Sequence, residues 1–219
     1  AVSPPKTPRP GRLVKASGVC GTDLHIHDGE FGARFPLIPG HETVGVVAAF
    51  GRDVQGFTIG DRVVADNSEL CGHCHYCHRG KELFCDNFIA HGVMVDGVFA
   101  EYAAYPAHHV FTFKNLCDLD ATLLEPAAYG VYKDDDRVSL SPNTMFKEEI
   151  NVLGSFSQTH KFPTAIDYLG KCPTISTIAY RKRVKVDGIV NKTFKLEEWQ
   201  ACLDAMKNKS VIKAAIVFD

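Results

Sequence analysis

A dense cysteine array constrains the fold of this chain more than any other feature. The array has the pattern C-x2-C-x2-C-x7-C and supplies half of the 8 cysteines, namely Cys71, Cys74, Cys77 and Cys85. Four thiolates at this spacing can converge on one point if the loop wraps a small object, and a tetrahedral zinc ion with four sulfur ligands suits that geometry. Such a site is closed to substrate, so the array predicts a structural zinc site and places the chemistry elsewhere.

Two disulfides are the alternative use of these cysteines. The N-terminal residues show no apolar secretory core, so we expect a reducing, cytoplasmic environment that favours metal binding. The composition, 45% hydrophobic and 23% charged, is that of a globular protein with one sizeable core or two small ones. A formal net charge of -2 argues against a nucleic-acid partner, and no apolar run is long enough to span a bilayer.

Hydrophobic patterning predicts a β-rich first half followed by helices. Short runs rich in valine and bounded by glycines predict strands at residues 43–48, 61–65 and 97–102. Apolar residues at helical spacing predict helices at 162–169 and 196–208, and apolar runs predict strands at 150–156 and 214–218. We therefore expect a barrel-like β unit over about the first 110 residues, with long loops that carry function.

A second group of chemically active residues is spread over three loops. They are Cys20-Gly21-Thr22-Asp23-Leu24-His25, Gly40-His41-Glu42 and Leu124-Glu125-Pro126-Ala127-Ala128. Each motif is weak alone, because a single cysteine or histidine is usually structural. In this order around the cysteine array, they resemble the zinc-containing medium-chain alcohol and polyol dehydrogenases, most closely the sorbitol or arabinitol type. The resemblance covers residues 14–128 and, less tightly, 131–219.

The resemblance implies a catalytic zinc with an open coordination position. Cys20 and His41 would hold this zinc, and a third protein contact would come from Glu42 or Glu125, a choice that the sequence leaves open. Primary-alcohol enzymes of the family have a cysteine where this chain has Glu125, so the acidic residue favours a polyol substrate and a harder, more water-accessible site.

The resemblance also implies roles for residues around the zinc. Thr22 would touch the substrate oxygen, His25 would relay a proton to solvent, and Asp23 would orient His41. Loop capping is the alternative for Thr22 and Asp23. The resemblance suggests substrate-pocket or cofactor contacts for four further residues, for which core packing or turn capping is the alternative: Phe99, Ile26, Ser157 and Gln158.

The chain departs from the family in its domain organisation. The family carries a Rossmann domain that binds the nicotinamide cofactor, but we find no G-x-G-x-x-G motif in this sequence. The resemblance implies a further segment of roughly 100–150 residues, one ordinary domain, between Ala128 and Tyr129. Either the protein lacks this domain, or it has the domain and this sequence omits it. The predicted organisation is a GroES-like zinc catalytic unit at 1–128, a remnant of cofactor-domain strands at 129–156 and a return to the catalytic unit at 157–219. The fold class is thus β-rich α+β, a partly open GroES-like barrel with C-terminal helices.

The resemblance implies oxidation of a secondary alcohol of a polyol to a ketose, with hydride transfer to NAD or NADP. It also implies a homo-oligomer, a dimer or tetramer, in which the strand at 150–156 pairs across a two-fold axis. The alternative is a zinc-stabilised module that is not catalytic, which the missing cofactor domain favours. Against it stands the complete set of active-site residue types at positions 20, 22, 25, 41, 42 and 125.

Overall fold

The described residues form β-strands and short α-helices. The computed structural model describes residues 11–30, 33–128, 161–169 and 188–218, together with the single residues 147 and 186. The strands are β1 (Gly11–Val19), β2 (Glu42–Ala49), β3 (Arg62–Ala65), β4 (Ser68–Glu69), β5 (Ile89–Ala90), β6 (Tyr102–Ala104), β7 (Val110–Thr112), β8 (Val190–Phe194) and β9 (Lys213–Val217). The helices are α1 (Gly21–His27), α2 (Asp118–Ala121), α3 (Leu124–Ala128), α4 (Phe162–Leu169) and α5 (Trp199–Lys207).

The larger sheet has seven strands, of which six follow the order β7-β3-β2-β1-β9-β8 and β6 is an additional partner of β1. β1 pairs with β2 along one edge, while its other edge pairs with β6 near its start and with β9 near its end. These pairings are antiparallel, whereas β8 and β9 are parallel. β4 and β5 form a separate two-stranded sheet on either side of the cysteine array. The pairing of β1 with β9 places a strand near the end of the chain beside the first strand.

The sequence of β2 explains its central place. Valines at alternate and adjacent positions give the strand high β-propensity, and its first four residues are buried. Gly45 allows close approach to β1, since a Cβ at this position would lie 2.6 Å from the carbonyl oxygen of Leu13. The register places Glu42 opposite Gly18.

Apolar clusters cover the sheet. One cluster joins Val44 and Val64 to Phe113, Leu124 and Phe162, and so packs α3 and α4 against the strands. Another packs α5 on β9 through Cys202 and Ile216. Burying one large aliphatic or aromatic side chain contributes about 1.5–3 kcal/mol, so these clusters stabilise the frame that carries the loops.

The predicted fold class is confirmed, with local differences. The strands expected at 43–48, 61–65 and 214–218 correspond to β2, β3 and β9, and the helix at 162–169 is α4. The helix expected at 196–208 begins as a 3-10 turn, Leu196–Glu198, and continues as α5. Strand β8 was not predicted, because its middle residues are polar and exposed.

The strand predicted at 97–102 is wrong, because only Tyr102 belongs to a strand. The preceding backbone amides are used elsewhere: Gly97 N–H donates to the Ile38 carbonyl oxygen at 2.7 Å and Phe99 N–H donates to that of Pro39 at 3.0 Å. A segment that bonds a loop in this way cannot pair in a ladder. The strand predicted at 150–156 lies outside the described residues, as does the rest of the predicted remnant at 129–156 except residue 147.

The sheets of the described residues are the seven-stranded sheet and the small β4–β5 sheet, and neither forms a Rossmann domain. In the part of the chain that the structure describes, none of the helices combines the length and the apolar character needed to cross a membrane.

Candidate metal centres

The four array cysteines converge, as their spacing predicts. Cys71, Cys74, Cys77 and Cys85 lie on the loop between β4 and β5, with all four Sγ atoms within 4.8 Å of one another. Cys71 Sγ and Cys77 Sγ are 4.0 Å apart, about twice the length of a disulfide bond, and the cysteines of the described residues are free. Tetrahedral zinc with Zn–S bonds of about 2.3 Å requires sulfurs roughly 3.8 Å apart, so the cluster fits zinc and does not fit disulfides.

Backbone amides of the loop point at the sulfurs. Cys71 N–H and Asn87 N–H each donate to Cys85 Sγ at 3.4 Å. The His73 backbone N–H lowers the pKa of Cys71 to about 6, whereas burial raises the pKa of Cys77 to about 12. The His73 amide therefore favours the thiolate form of Cys71 that a metal needs, whereas burial opposes it at Cys77.

A second cluster brings together Cys20, His41 and Glu42, whose ligand atoms lie within 4.8 Å of one another. Cys20 Sγ is 3.1 Å from His41 Nε2. His41 and Glu42 are buried, with 4% and 1% exposure, whereas Cys20 is partly exposed. The cluster thus has a closed side and a side that solvent or a substrate can reach.

The start of α1 fixes Cys20. Its sulfur accepts the Thr22 N–H at 3.3 Å, and its own N–H donates to Asp23 Oδ2 at 2.9 Å, so that Cys20 caps the helix. The other oxygen of Asp23, Oδ1, lies 3.4 Å from His41 Nδ1. This fully buried carboxylate holds the histidine with Nδ1 towards itself and Nε2 towards Cys20.

Opposing influences act on the charge of His41. Burial lowers its pKa, but the Asp23 carboxylate and the Cys20 thiolate outweigh burial and raise the pKa well above its usual value. The two neighbouring anions therefore favour positive charge at the His41 ring.

Glu42 is held by a residue that the sequence did not indicate. Lys213, the first residue of β9, places Nζ 2.5 Å from Glu42 Oε1, while Oε2 is buried without a hydrogen-bond partner. The carboxylate lies over Gly18, where a Cβ would come within 1.8 Å of Oε2. Burial raises the pKa of Glu42, and Lys213 is the largest influence that lowers it. The local sequence signal for Lys213 is weak: one charged residue that opens an apolar strand.

Glu125 lies in the first turn of α3 and is buried beside the same cluster, although its carboxylate is not among the converging ligand atoms. Burial raises its pKa to about 8, with opposing contributions from His41, which lowers it, and Glu42, which raises it. Glu42 is thus the better placed of the two glutamates to contact a metal.

The donor set of this second cluster fits zinc. Thiolate, imidazole and carboxylate are the three ligand types of catalytic zinc sites, and such sites keep one position open. A buried carboxylate oxygen without a partner, Glu42 Oε2, is expensive unless a cation meets it. The residues present therefore fit the metal that the sequence predicts.

The other predicted site residues are not among the converging ligand atoms. Thr22 is half-buried in the first turn of α1, and His25 is exposed and contacts Glu30. Phe99 packs on Trp199 at 4.9 Å between ring centroids, and Ile26 is fully buried, so both belong to the interior. Ser157 and Gln158 lie outside the described residues.

The fold and the two clusters define a GroES-like zinc dehydrogenase domain. Residues 13–115 match the family model of the alcohol dehydrogenase GroES-like domain. D-arabinitol dehydrogenase 1 of Uromyces fabae is 32% identical over 320 aligned positions, which cover 93% of this chain and 89% of that protein. The chain therefore belongs to the zinc-containing medium-chain alcohol and polyol dehydrogenase family, for which zinc and NAD(P) are the expected cofactors.

Two further matches show how much of such proteins is present. L-threonine 3-dehydrogenase of Deinococcus deserti is 39% identical over 58% of this chain, which corresponds to only 40% of that enzyme. A crystal structure of a candidate zinc-binding dehydrogenase from Sinorhizobium meliloti, bound to NADP, shares the fold with a TM-score of 0.79 and 18% identity, covering 99% of this chain and 94% of that one. The arabinitol alignment has 320 positions but includes 93% of the 219 residues here, about 204, so about 116 of its positions have no residue of this chain opposite them.

Proposed function

We propose that this chain carries the zinc-binding half of an active site that oxidises a secondary alcohol of a polyol, such as arabinitol or sorbitol, to a ketose. The hydride would pass to NAD or NADP. The observation that carries the proposal is the convergence of the ligand atoms of Cys20, His41 and Glu42 within 4.8 Å of one another, together with the buried, unpartnered Oε2 of that glutamate. The similarity to an arabinitol dehydrogenase supports the substrate class.

Cys20, His41 and Glu42 would hold the zinc, with Glu42 using Oε2 because Lys213 occupies Oε1. When bound, zinc supplies Lewis acidity that makes an alcohol oxygen alkoxide-like and so eases loss of hydride from its carbon. Asp23 keeps the histidine ring oriented. Glu125 is the neighbouring carboxyl at the edge of the cluster.

Thr22 and His25 would carry the proton that oxidation releases. Thr22 follows the ligand Cys20 by two residues, and His25 lies one turn further along α1 at the exposed surface. This order leads from the buried cluster towards water, which a proton relay requires.

The carboxylates favour a polyol over a simple primary alcohol. Carboxylate oxygens are harder ligands than the additional thiolate that the primary-alcohol branch uses, and they suit a substrate and site rich in hydroxyl groups. A homo-oligomer stays a prediction, since the strand expected to pair subunits lies outside the described residues. A cytoplasmic location also stays a prediction.

A zinc-stabilised, non-catalytic module is the second candidate function. The observation in its favour is that about 116 of the 320 positions in the arabinitol dehydrogenase alignment have no residue of this chain opposite them, since 93% of 219 residues is about 204. The described residues also contain no Rossmann domain to hold a nicotinamide cofactor. Such a module would bind two zinc ions but neither NADH nor polyol.

Intact mass, zinc content, NADH binding and polyol-dependent reduction of NAD(P) in one preparation distinguish the two candidates. Turnover with arabinitol or sorbitol that disappears in Cys20→Ala, while the exposed Cys117→Ala control keeps it, supports the dehydrogenase. A mass of 24.1 kDa with two zinc ions and no NADH binding supports the module. Normal turnover in Cys20→Ala would contradict the proposed catalytic site.

A further inference from the structure

One short segment, residues 89–99, joins the two metal centres and is called here the linking segment. Its first residues form β5, which pairs with β4 in the register Ser68–Ala90 and Glu69–Ile89. His91 N–H continues this contact by donating to the Asn67 carbonyl oxygen at 2.8 Å. Since Cys71 follows β4 by two residues, the linking segment is anchored next to the four-cysteine centre.

The far end of the linking segment lies on the turn that presents His41. Gly97 N–H donates to the Ile38 carbonyl oxygen at 2.7 Å, and Val98 N–H donates to the Gly40 carbonyl oxygen at 3.0 Å. A Cβ at Gly92 or Gly97 would come within 2.2 or 2.1 Å of the Gly40 oxygen. The backbones are therefore in direct contact, and a shift of one requires a shift of the other.

A buried histidine holds the middle of the segment. His91 is 3% exposed, with Nε2 2.5 Å from Glu69 Oε1 and Nδ1 3.2 Å from the Asp96 carbonyl oxygen. The ring is thus held at both of its nitrogens, by a side chain of β4 on one side and by the backbone of the linking segment on the other.

The same ring reaches the strand that follows His41. It packs on Tyr105 at 4.5 Å between centroids, and the Tyr105 hydroxyl is 3.2 Å from Thr43 Oγ1. Thr43 directly follows the metal-facing Glu42. None of the steps assigned to the proposed reaction uses His91 or Glu69, yet they occupy the contact path between the two centres.

The cysteine loop buries two of its four sulfur-bearing residues, Cys77 and Cys85, more fully than its aromatic side chains. Tyr76 and Phe84 are 38% and 58% exposed, so they add little buried apolar surface. A metal bound by Cys71 would fix the end of β4 and with it the carboxylate of Glu69.

We propose that His91 and Glu69 are a positioning pair that couples the two centres, so that zinc at the four cysteines strengthens metal binding by Cys20, His41 and Glu42. Coupling of this kind is reciprocal, because each bound metal changes the affinity at the other site by the same factor. The inference rests on the two metal centres of the proposed function and is independent of the substrate.

A double-mutant cycle with a metal-binding readout tests the pair. Zinc affinity at the Cys20 centre is measured by chelator competition in the full chain. Cobalt substitution shows which centre is filled, because the thiolate charge-transfer intensity scales with the number of sulfur ligands, one at the Cys20 centre and four at the other. The variants are His91→Gln, Cys74→Ser and the double variant, with Glu69→Gln as a milder second change. His108→Gln, at an exposed histidine, is the matched control.

We expect Cys74→Ser and His91→Gln each to weaken zinc at the Cys20 centre about tenfold, which corresponds to the usual range of coupling between sites. The double variant should be no weaker than either single variant, and His108→Gln should match the native protein. Unchanged zinc affinity at the Cys20 centre in both His91→Gln and Glu69→Gln, or additive losses in the double variant, would refute the proposal that His91 and Glu69 couple the two centres. This holds even if unfolding temperatures fall. A native protein that binds only one zinc would overturn both this inference and the proposed function.

Discussion

Replacing Lys213 with methionine removes the cation that faces Glu42 inside the Cys20 centre. The lysine side chain is 11% exposed and the glutamate side chain 0%, so neither charge is well solvated. Removing one partner of such a buried pair costs about 3–5 kcal/mol, because the other charge is left uncompensated. Methionine retains an unbranched apolar stem, so most of this cost comes from charge rather than from a cavity.

The loss should depend on pH. Burial already raises the pKa of Glu42, and Lys213 is the largest influence that lowers it, so the variant raises that pKa further. A carboxyl whose pKa is raised in the folded state contributes most stability below its unfolded value, and this is lost as pH rises through the folded value. The free energy of unfolding of Lys213→Met should therefore be nearer to native at pH 5 than at pH 8.

Urea unfolding of protein with and without zinc at the Cys20 centre measures both effects. Zinc supplies a positive charge next to Glu42, so the loss should be larger in the zinc-depleted form. Lys213→Arg is the control, because it keeps the charge. A loss below about 1 kcal/mol in zinc-depleted Lys213→Met, with no dependence on pH, would refute the assignment of Lys213 as the countercharge of Glu42.

Three further changes test the centres. Gly18→Ala should displace the Glu42 carboxylate and weaken zinc at the Cys20 centre at least tenfold by chelator competition, whereas Gly21→Ala, which meets nothing within 4 Å, should not; equal affinities would contradict the placement of Glu42. Cys74→Ser should lower the zinc content from two to one and lower the urea midpoint, and an unchanged midpoint would count against a structural zinc. Glu125→Gln should flatten the fall in stability of zinc-depleted protein between about pH 4.5 and 8, which at a pKa of about 8 amounts to on the order of 5 kcal/mol; parallel pH profiles for the two proteins would exclude that raised pKa.

The sequence was most informative where chemistry depends on spacing along the chain. The interval between Cys71, Cys74, Cys77 and Cys85 is short enough that one loop can bring them together, and the structure places their sulfurs within 4.8 Å. Strand β2 was equally easy to predict, since alternating and adjacent valines suit a buried strand whatever surrounds them. Local pattern failed at residues 97–101, where the backbone bonds go to the 38–40 loop instead of a neighbouring strand.

By itself, then, the sequence determined the β-rich class and identified the four cysteines that converge, while the ligand roles and the domain boundaries stay predictions. Only the tertiary structure decided between Glu42 and Glu125 as the better-placed carboxylate, and only it found Lys213, which is 171 residues from Glu42 in the chain. The pairing of β1 with β9 brings that lysine to the centre. Strand pairing across such distances depends on the packing of the whole sheet, and no local run of residues specifies which side chains it places in contact.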